Sequence, residues 1–433
     1  EILRVAWPVV LEMISVNLLD LADTYFVSQA GTSQVGAMGF VSSIWGFLGS
    51  FPTLVTIGGT VAVAQAYGAK TSQAGYVAAM FWLGMALALA LTAVGMLLPE
   101  TLVSVLQLPE ALVPLGARYL QVRSLGWVPL LLVWCATATW RARGNTRAAL
   151  LVMGTVNVSN IVLDVILIPR FGLVGAAYAT LGAALVGLAL ARPVLGEFLQ
   201  AQSFTVAELT RIARIGVPAV LEALGERGAF TIFSTVILAS LGTLALDGRQ
   251  ISLSIIGVVF LPAIGLSVAV TTLVGQRLGA GEVRIAREIG WVAAGLGVMV
   301  FTSLALAIFF LAPWLVQRFT PDPATQALAT RLLRLLALVE PFDALGIVLI
   351  GALRGAGRTD LTALTLTSLG WAILVGAAWL ARPYGVFVTF LVGVGGYIVV
   401  LGLVLAACWA LLKLEPAPGA QRAAPTSHPL PEG

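Results

Sequence analysis

QAYGAK, Gln65–Lys70, and QRLGAG, Gln276–Gly281, each follow an apolar run long enough to cross a bilayer, and they lie 211 residues apart. The same interval separates Arg143 in RARGNTR (Arg141–Arg147) from Arg354 in LRGAGRTD (Leu353–Asp360), and 210 residues separate Pro8 from Pro218. Three matches at one spacing imply a duplication. Apolar runs fall near 4–28, 38–66, 76–98, 117–140, 147–168, 172–192, 212–241, 251–275, 290–312, 331–353, 360–381 and 384–412. Backbone groups in lipid must be satisfied within the segment, so each run is expected to be a helix. Six crossings per copy is an even number, which puts both copies in the same orientation, a parallel repeat about an axis along the membrane normal.

The expected fold is therefore an all-α polytopic membrane protein, with twelve transmembrane helices in two six-helix bundles, 1–192 and 212–412. A polar linker, 193–211, joins them, and a tail rich in Pro, Ala and Gly, 413–433, is expected to be disordered and cytoplasmic.

Composition supports a membrane solvent. Of 433 residues, 59% are hydrophobic and 10% charged, against about 25% charged in soluble domains, and mean hydropathy is +0.99. With the N-terminus inside, fifteen of the 24 Lys and Arg fall in inner loops and eight in outer ones, which places both termini in the cytoplasm of a cell with a plasma (inner) membrane. Arg227 falls within a span. The first run lacks a cleavage site, so no signal peptide is expected, and a short leader is expected ahead of Glu1. The net charge of +4 comes from scattered loop arginines, which gives no nucleic-acid surface. Cys135 and Cys408 lie in apolar runs and His428, the one histidine, in the tail. An intramembrane enzyme would need nucleophiles, bases or metal ligands that the spans lack, so neither catalysis nor a cofactor is expected.

Carboxylates inside spans cost about 2.5–3.5 kcal/mol each at a helix centre, so their positions carry information. On the first span, NLLDLADTYFV (Asn17–Val27) holds Asp20 and Asp23, with Glu12 upstream. Glu12 and Asp23 differ by about 20° around the helix and Asp20 by about 80° from Glu12, a shared side that suggests a shared wet cavity; the alternatives are an end cap for Asp23 and an inward-reaching Glu12. On the fifth span, Asn157, Asn160 and Asp164 form one stripe. Their oxygens either hold a small hard cation or share a proton, or they form a helix-packing network. The second half has Glu222, Glu226 beside Arg227, Glu340 and Asp343; the alternatives are a local ion pair for Glu226 and an interfacial place for Glu340. Acids from both halves describe a cavity that attracts cations. Pro52, Gly58 and Gly59 in the second span and Pro262 and Gly265 in the eighth mark either bends or close packing.

These motifs, together with NIVLDVILIPRFGLVGAAYAT (Asn160–Thr180), resemble the multidrug and toxic compound extrusion (MATE) family over residues 4–412. The resemblance implies a V-shaped cavity and rocker-like alternating access, with organic cations or drugs exported by antiport against protons or sodium. It assigns the coupling site to Asp23, Asn160, Asp164 and Thr180, where Na+ or a proton would bind, and it matches Glu226 and Asp343 to the acidic ligands of the NorM-like branch. Arg227 departs from that pattern. Asp20, Asn157 and Glu222 are secondary coupling or cavity residues. A monomer in the lipid bilayer is expected. A lipid-linked oligosaccharide flippase of the same superfamily is the alternative; a receptor is the reading from a different class. No D-R-x-G-R loop follows the second span, which argues against a major-facilitator transporter.

Overall fold

The computed structural model describes residues 1–105, 109–200 and 204–420, without the side chains of Val258 and Leu261. Twelve helical spans cross it in alternating directions, each matching one expected apolar run: α1 (Ile2–Gln29), α2 (Thr32–Leu48 with Thr53–Gly68), α3 (Ala74–Leu97), α4 (Glu110–Ser124 with Trp127–Ala142), α5 (Thr146–Phe171), α6 (Leu173–Leu190), α7 (Val206–Leu241), α8 (Thr243–Gly279), α9 (Val283–Val316), α10 (Pro323–Gly355), α11 (Thr359–Tyr384) and α12 (Val386–Leu411). The chain is a multi-pass membrane protein. Outward faces of α3, α9 and α12 present Leu89, Met96, Met299, Phe310 and Leu403, apolar side chains suited to lipid.

Local chemistry sets the helix ends. Thr205 and Glu208 form a reciprocal capping box at the start of α7. Asn145 caps α5 and Asp322 caps α10 through side-chain oxygens. Gly31, Gly144 and Gly172 turn between spans at φ +126°, +79° and +58°; Gly242, Gly357 and Gly385 do so in the second half at +97°, +74° and +90°, a backbone region that favours glycine. These three pairs are offset by 211, 213 and 213 residues. The structural repeat therefore lengthens by two after the third span, and Arg354 corresponds to Arg141. The 211-residue match of Arg143 to Arg354 is a sequence coincidence two positions out of register.

α2 bends by 42° at Gly49–Pro52, and α8 bends by 53° between Gly257 and Pro262. The prolines do mark bends. The glycines mark close packing instead: a Cβ on Gly58 would stand 2.4 Å from the Ile212 carbonyl oxygen, and one on Gly265 2.6 Å from the Val10 side chain. A third bend, 45° in α4 at Leu125–Gly126, was not expected, although Gly126 and Pro129 signal it. Three wide-turn π-helical segments, 233–238, 370–377 and 391–395, lie in the second half among the described residues.

Each half buries its own apolar core, one centred on Phe81, Trp127 and Leu131, the other on Phe233, Phe301 and Trp409. The halves meet along α1, the second segment of α2, α7 and α8. Contact is tightest at the face that carries the termini, where α2 and α8 end backbone to backbone: a Cβ on Gly68 would lie 1.8 Å from the Gln276 carbonyl oxygen, and one on Gly279 2.0 Å from that of Gln65. The first segment of α2, toward the opposite face, packs mainly within its own half and meets the other half at Gly46, which lies against the Arg227 guanidinium.

The linker region starts as a helix, Arg192–Gln200, tied to α4 by a two-pronged ion pair of Arg143 with Glu197 at 2.7 and 2.9 Å; residues 201–203 lie outside the described residues. Beyond Lys413 the chain crosses the end of α8, where Ala417 N donates to the Leu278 carbonyl at 3.0 Å; residues 421–433, with Arg422 and His428, lie outside the described residues.

Gly279→Ala is expected to cost about 1–3 kcal/mol by forcing these helix ends apart. Gly295→Ala, where a Cβ meets nothing within 4 Å, is expected to be neutral or stabilising by up to about 1 kcal/mol. Thermal unfolding in detergent checks both.

Candidate functional site: a buried polar triad and two cavities

α1 and α5 pack side by side, and this contact brings three of the four expected coupling residues together. Asn160 Nδ2 donates to Asp164 Oδ2 at 2.9 Å and to Asp23 Oδ1 at 3.1 Å. Asp23 is 6% exposed, Asn160 1% and Asp164 0%. Asp164 Oδ1 is buried with no hydrogen-bond partner among the described residues, which is expensive unless something else satisfies it. Two carboxylates and an amide on one spot, with one oxygen orphaned, suit a small hard cation or a shared proton. Thr180 gives its hydroxyl to the Ala176 carbonyl on its own helix and makes no hydrogen bond to the three.

Sequence reading missed Arg123, which it placed among outer loop charges. Arg123 lies inside α4 just before the bend, its guanidinium 4.7 Å from the Trp45 ring centroid, and it donates to Tyr119 Oη. Its place inside the expected 117–140 run, three residues before Gly126, was the available signal.

The α1 acids do not share one cavity. Asp20 is exposed, Asp23 belongs to the triad, and Glu12, eleven residues from Asp23, is held by Arg141 at 2.8 Å. Asp23 is not an end cap, and Glu12 does not reach for the interface. Asn157 stays on the expected stripe, buried against α1, but does not join the triad: its Nδ2 donates to Ser15 Oγ at 2.8 Å, a helix-packing contact.

In the second half, Glu222 is bound by Arg354 and by the Thr362 hydroxyl, so it is a structural ion-pair partner at a cavity wall. Glu226, Glu340 and Asp343 line that cavity, about 360 Å³ in volume, with Tyr397 Oη donating to Glu226 at 3.3 Å. Glu340 is 4% exposed, which removes the interfacial reading. Arg227 makes no ion pair with Glu226; its guanidinium lies across the junction against Gly46 of α2. A second cavity, about 350 Å³, opens where the halves meet, lined by Glu12, Met13, Thr56, Trp134, Arg141, Thr271 and Arg354. Among the described residues no cluster of three or more His, Cys, Asp or Glu forms a metal centre.

Glu222→Ala is expected to destabilise the protein by about 3–5 kcal/mol, because Arg354 is left as an uncompensated charge. Glu222→Ala with Arg354→Ala together are expected to lose less. Unfolding in micelles, run as a double-mutant cycle, measures the difference.

The comparisons agree with this architecture. A NorM protein of Thermotoga maritima, named a probable multidrug resistance protein, is 28% identical over 83% of this chain and 80% of its own. A NorM protein of Deinococcus radiodurans, named likewise, is 30% identical over 87% and 86%. The bent form of the Vibrio cholerae MATE transporter VcmN superposes with a TM-score of 0.88 at 21% identity, covering 94% of this chain and 95% of that one. The MatE family model matches residues 8–166 and 218–378, one segment in each half, so the chain belongs to the MatE family and is a membrane transporter, not an enzyme.

Proposed function

We propose that the protein is a secondary multidrug exporter, moving organic cations or drugs outward in exchange for protons or sodium. The observation that carries this reading is the triad: two buried carboxylates bridged by one amide, with Asp164 Oδ1 lacking a partner. The relatives named for multidrug resistance support the substrate class.

With the termini in the cytoplasm of a bacterial inner membrane, as the arginine bias favours, the tight face is cytoplasmic and the opposite face is outward. The protein acts as a monomer. An incoming ion arrives from the outer face and meets Asp23 and Asp164. A proton turns one carboxyl into a donor toward the other. Sodium would take carboxylate oxygens and, after an amide rotation, the Asn160 oxygen; Thr180 Oγ1 donates to Ala176 yet keeps lone pairs for a cation. Either ion removes negative charge from the first half and weakens its attraction for a cationic substrate. Ion and substrate then oppose each other by linkage. The membrane potential contributes about 2.3 kcal/mol per charge per 100 mV.

A second reading places coupling in the other half, since Glu226, Glu340 and Asp343 converge on one cavity. The second-half cavity argues against the flippase alternative, because Glu222, Glu226, Glu340 and Asp343 outnumber Arg354 at its walls.

Ethidium flux in proteoliposomes, driven separately by pH and sodium gradients, tests the proposal. Asp164→Asn is expected to lose at least about tenfold in gradient-driven rate, roughly 1.4 kcal/mol, with Asp343→Asn retaining coupling. A full rate in Asp164→Asn with loss in Asp343→Asn moves coupling to the second half. No flux in wild type under either gradient defeats the exporter reading.

A further inference from the structure

A third pocket, about 730 Å³ in volume, opens at the face that carries the termini. Its walls are the start of α7, the end of α8, the turn between α10 and α11 and the segment that follows α12. Arg211, Arg214, Arg358 and Lys413 line it against a single acid, Glu415. It shares no lining residue with the junction cavity or the second-half cavity, and Gln65 is the one residue of the first half at its wall. Three other arginines of this face are matched to acids: Arg143 to Glu197, Arg277 to Glu1 and Glu282, and Arg284 to Glu288. The pocket's cations are not. Arg211 donates to Tyr76 Oη at 2.9 Å and to Gln65 Oε1, two neutral oxygens that fix its position and leave its charge without a counter-ion. Arg358 gives Nε and Nη2 to Asp360, which is not at the wall, and its Nη1 makes no hydrogen bond among the described residues. Arg214 and Lys413 are exposed and form no ion pair among the described residues. The segment that carries Lys413 is held from both ends, since Arg287 donates to the Ala410 and Leu412 carbonyls and Ala417 N donates to that of Leu278.

We infer that this pocket is a binding site for a phosphate group, carried by an anionic phospholipid headgroup or by a soluble phosphate ester. Guanidinium N–H pairs match phosphate oxygens, and lysine adds a point charge. A concave wall of one sign focuses the potential that draws an anion in, and basic pockets between helices at a membrane face take phosphate headgroups. Phosphate bound here joins the start of α7, the α10–α11 turn and the segment after α12 beside Gln65, whose amide spans the seal to the Gly355 carbonyl at 3.0 Å. Occupancy thereby braces the closed terminal face. Neither the triad nor either acid-bearing cavity is involved, so the exporter reading stands or falls separately.

The test titrates purified full-length protein, in a nonionic detergent, with millimolar sodium phosphate and separately with phosphatidylglycerol in mixed micelles. Sodium chloride at matched ionic strength and phosphatidylcholine are the blanks. The unfolding midpoint reads binding, because a ligand of the folded state raises it with concentration. A rise beyond the blank is expected with at least one probe: with phosphatidylglycerol alone the source is lipid, and with inorganic phosphate it extends to soluble esters. Arg214→Gln with Lys413→Gln is expected to weaken apparent affinity about tenfold. Should that pair fold poorly, Lys413→Gln alone, outside every span, is expected to lose about threefold. The comparison pair, Arg4→Gln with Arg284→Gln, removes the same charge from exposed positions of the same face outside the pocket and is expected to keep wild-type affinity. No rise with either probe in wild type overturns the inference. An equal loss in the two pairs does so too, since it reduces the effect to general surface charge.

Discussion

Two backbone contacts decide how the halves can meet. Gly68 lies on the Gln276 carbonyl and Gly279 on the Gln65 carbonyl, so α2 and α8 approach more closely than any side chain permits. That approach lets each glutamine reach across the junction. Gln65 Nε2 donates to the Gly355 carbonyl at 3.0 Å, and Gln276 Nε2 donates to the Ala142 carbonyl at 2.7 Å. Arg211 donates to Gln65 Oε1 at 2.5 Å and fixes it. The accepting carbonyls belong to the residues that follow Arg354 and Arg141. The seal at the terminal face and the arginines at the wall of the junction cavity are therefore built on the same two helix ends.

Symmetry holds at this seal and fails at the acidic sites. Glycine, glutamine and the Glu–Arg pairs recur in both halves because they serve one pseudo-twofold contact. The triad does not recur: at the equivalent offsets Asp23 becomes Phe233, Asn160 becomes Ile373 and Asp164 becomes Ala377, and Phe233 packs toward Phe390 in an apolar core. Glu226, Glu340 and Asp343 in turn correspond to Val16, Trp127 and Leu130. Structural demands act equally on both copies of a duplicated bundle. A ligand need be bound only once, so the departures from symmetry separate binding chemistry from architecture.

The twelve spans were legible because lipid forces long apolar helices, and the duplication was legible because its loops kept their glycines. Asp23, Asn160 and Asp164 were legible as a cluster because carboxylates are rare in hydrocarbon and a stripe on α5 must face something. What escaped depends on partners far apart in the chain. Glu12 with Arg141 spans 129 residues and Glu222 with Arg354 spans 132, and helical phase on α1 cannot reveal that Glu12 and Asp23 are satisfied at different depths. Arg123 was hidden by its apparent place in a loop, and the two-residue slip of the repeat misdirected attention to Arg143, whose guanidinium serves the linker helix.

α1 joins these parts. It carries Asp23 in the triad and Glu12 at the junction cavity, eleven residues or about 16 Å apart along the axis, and it lies against α8 of the other half, with Val10 touching Gly265. Pro8 removes one backbone hydrogen bond just before Glu12. In the proposed cycle an ion that reorganises Asp23 and Asp164 shifts the outer part of α1 relative to α5. The Arg141 pair anchors the inner part, and Arg141 is itself tied to the seal through the Ala142 carbonyl. A motion of α1 that breaks the Glu12 pair thus loosens the contact on which closure of the terminal face depends.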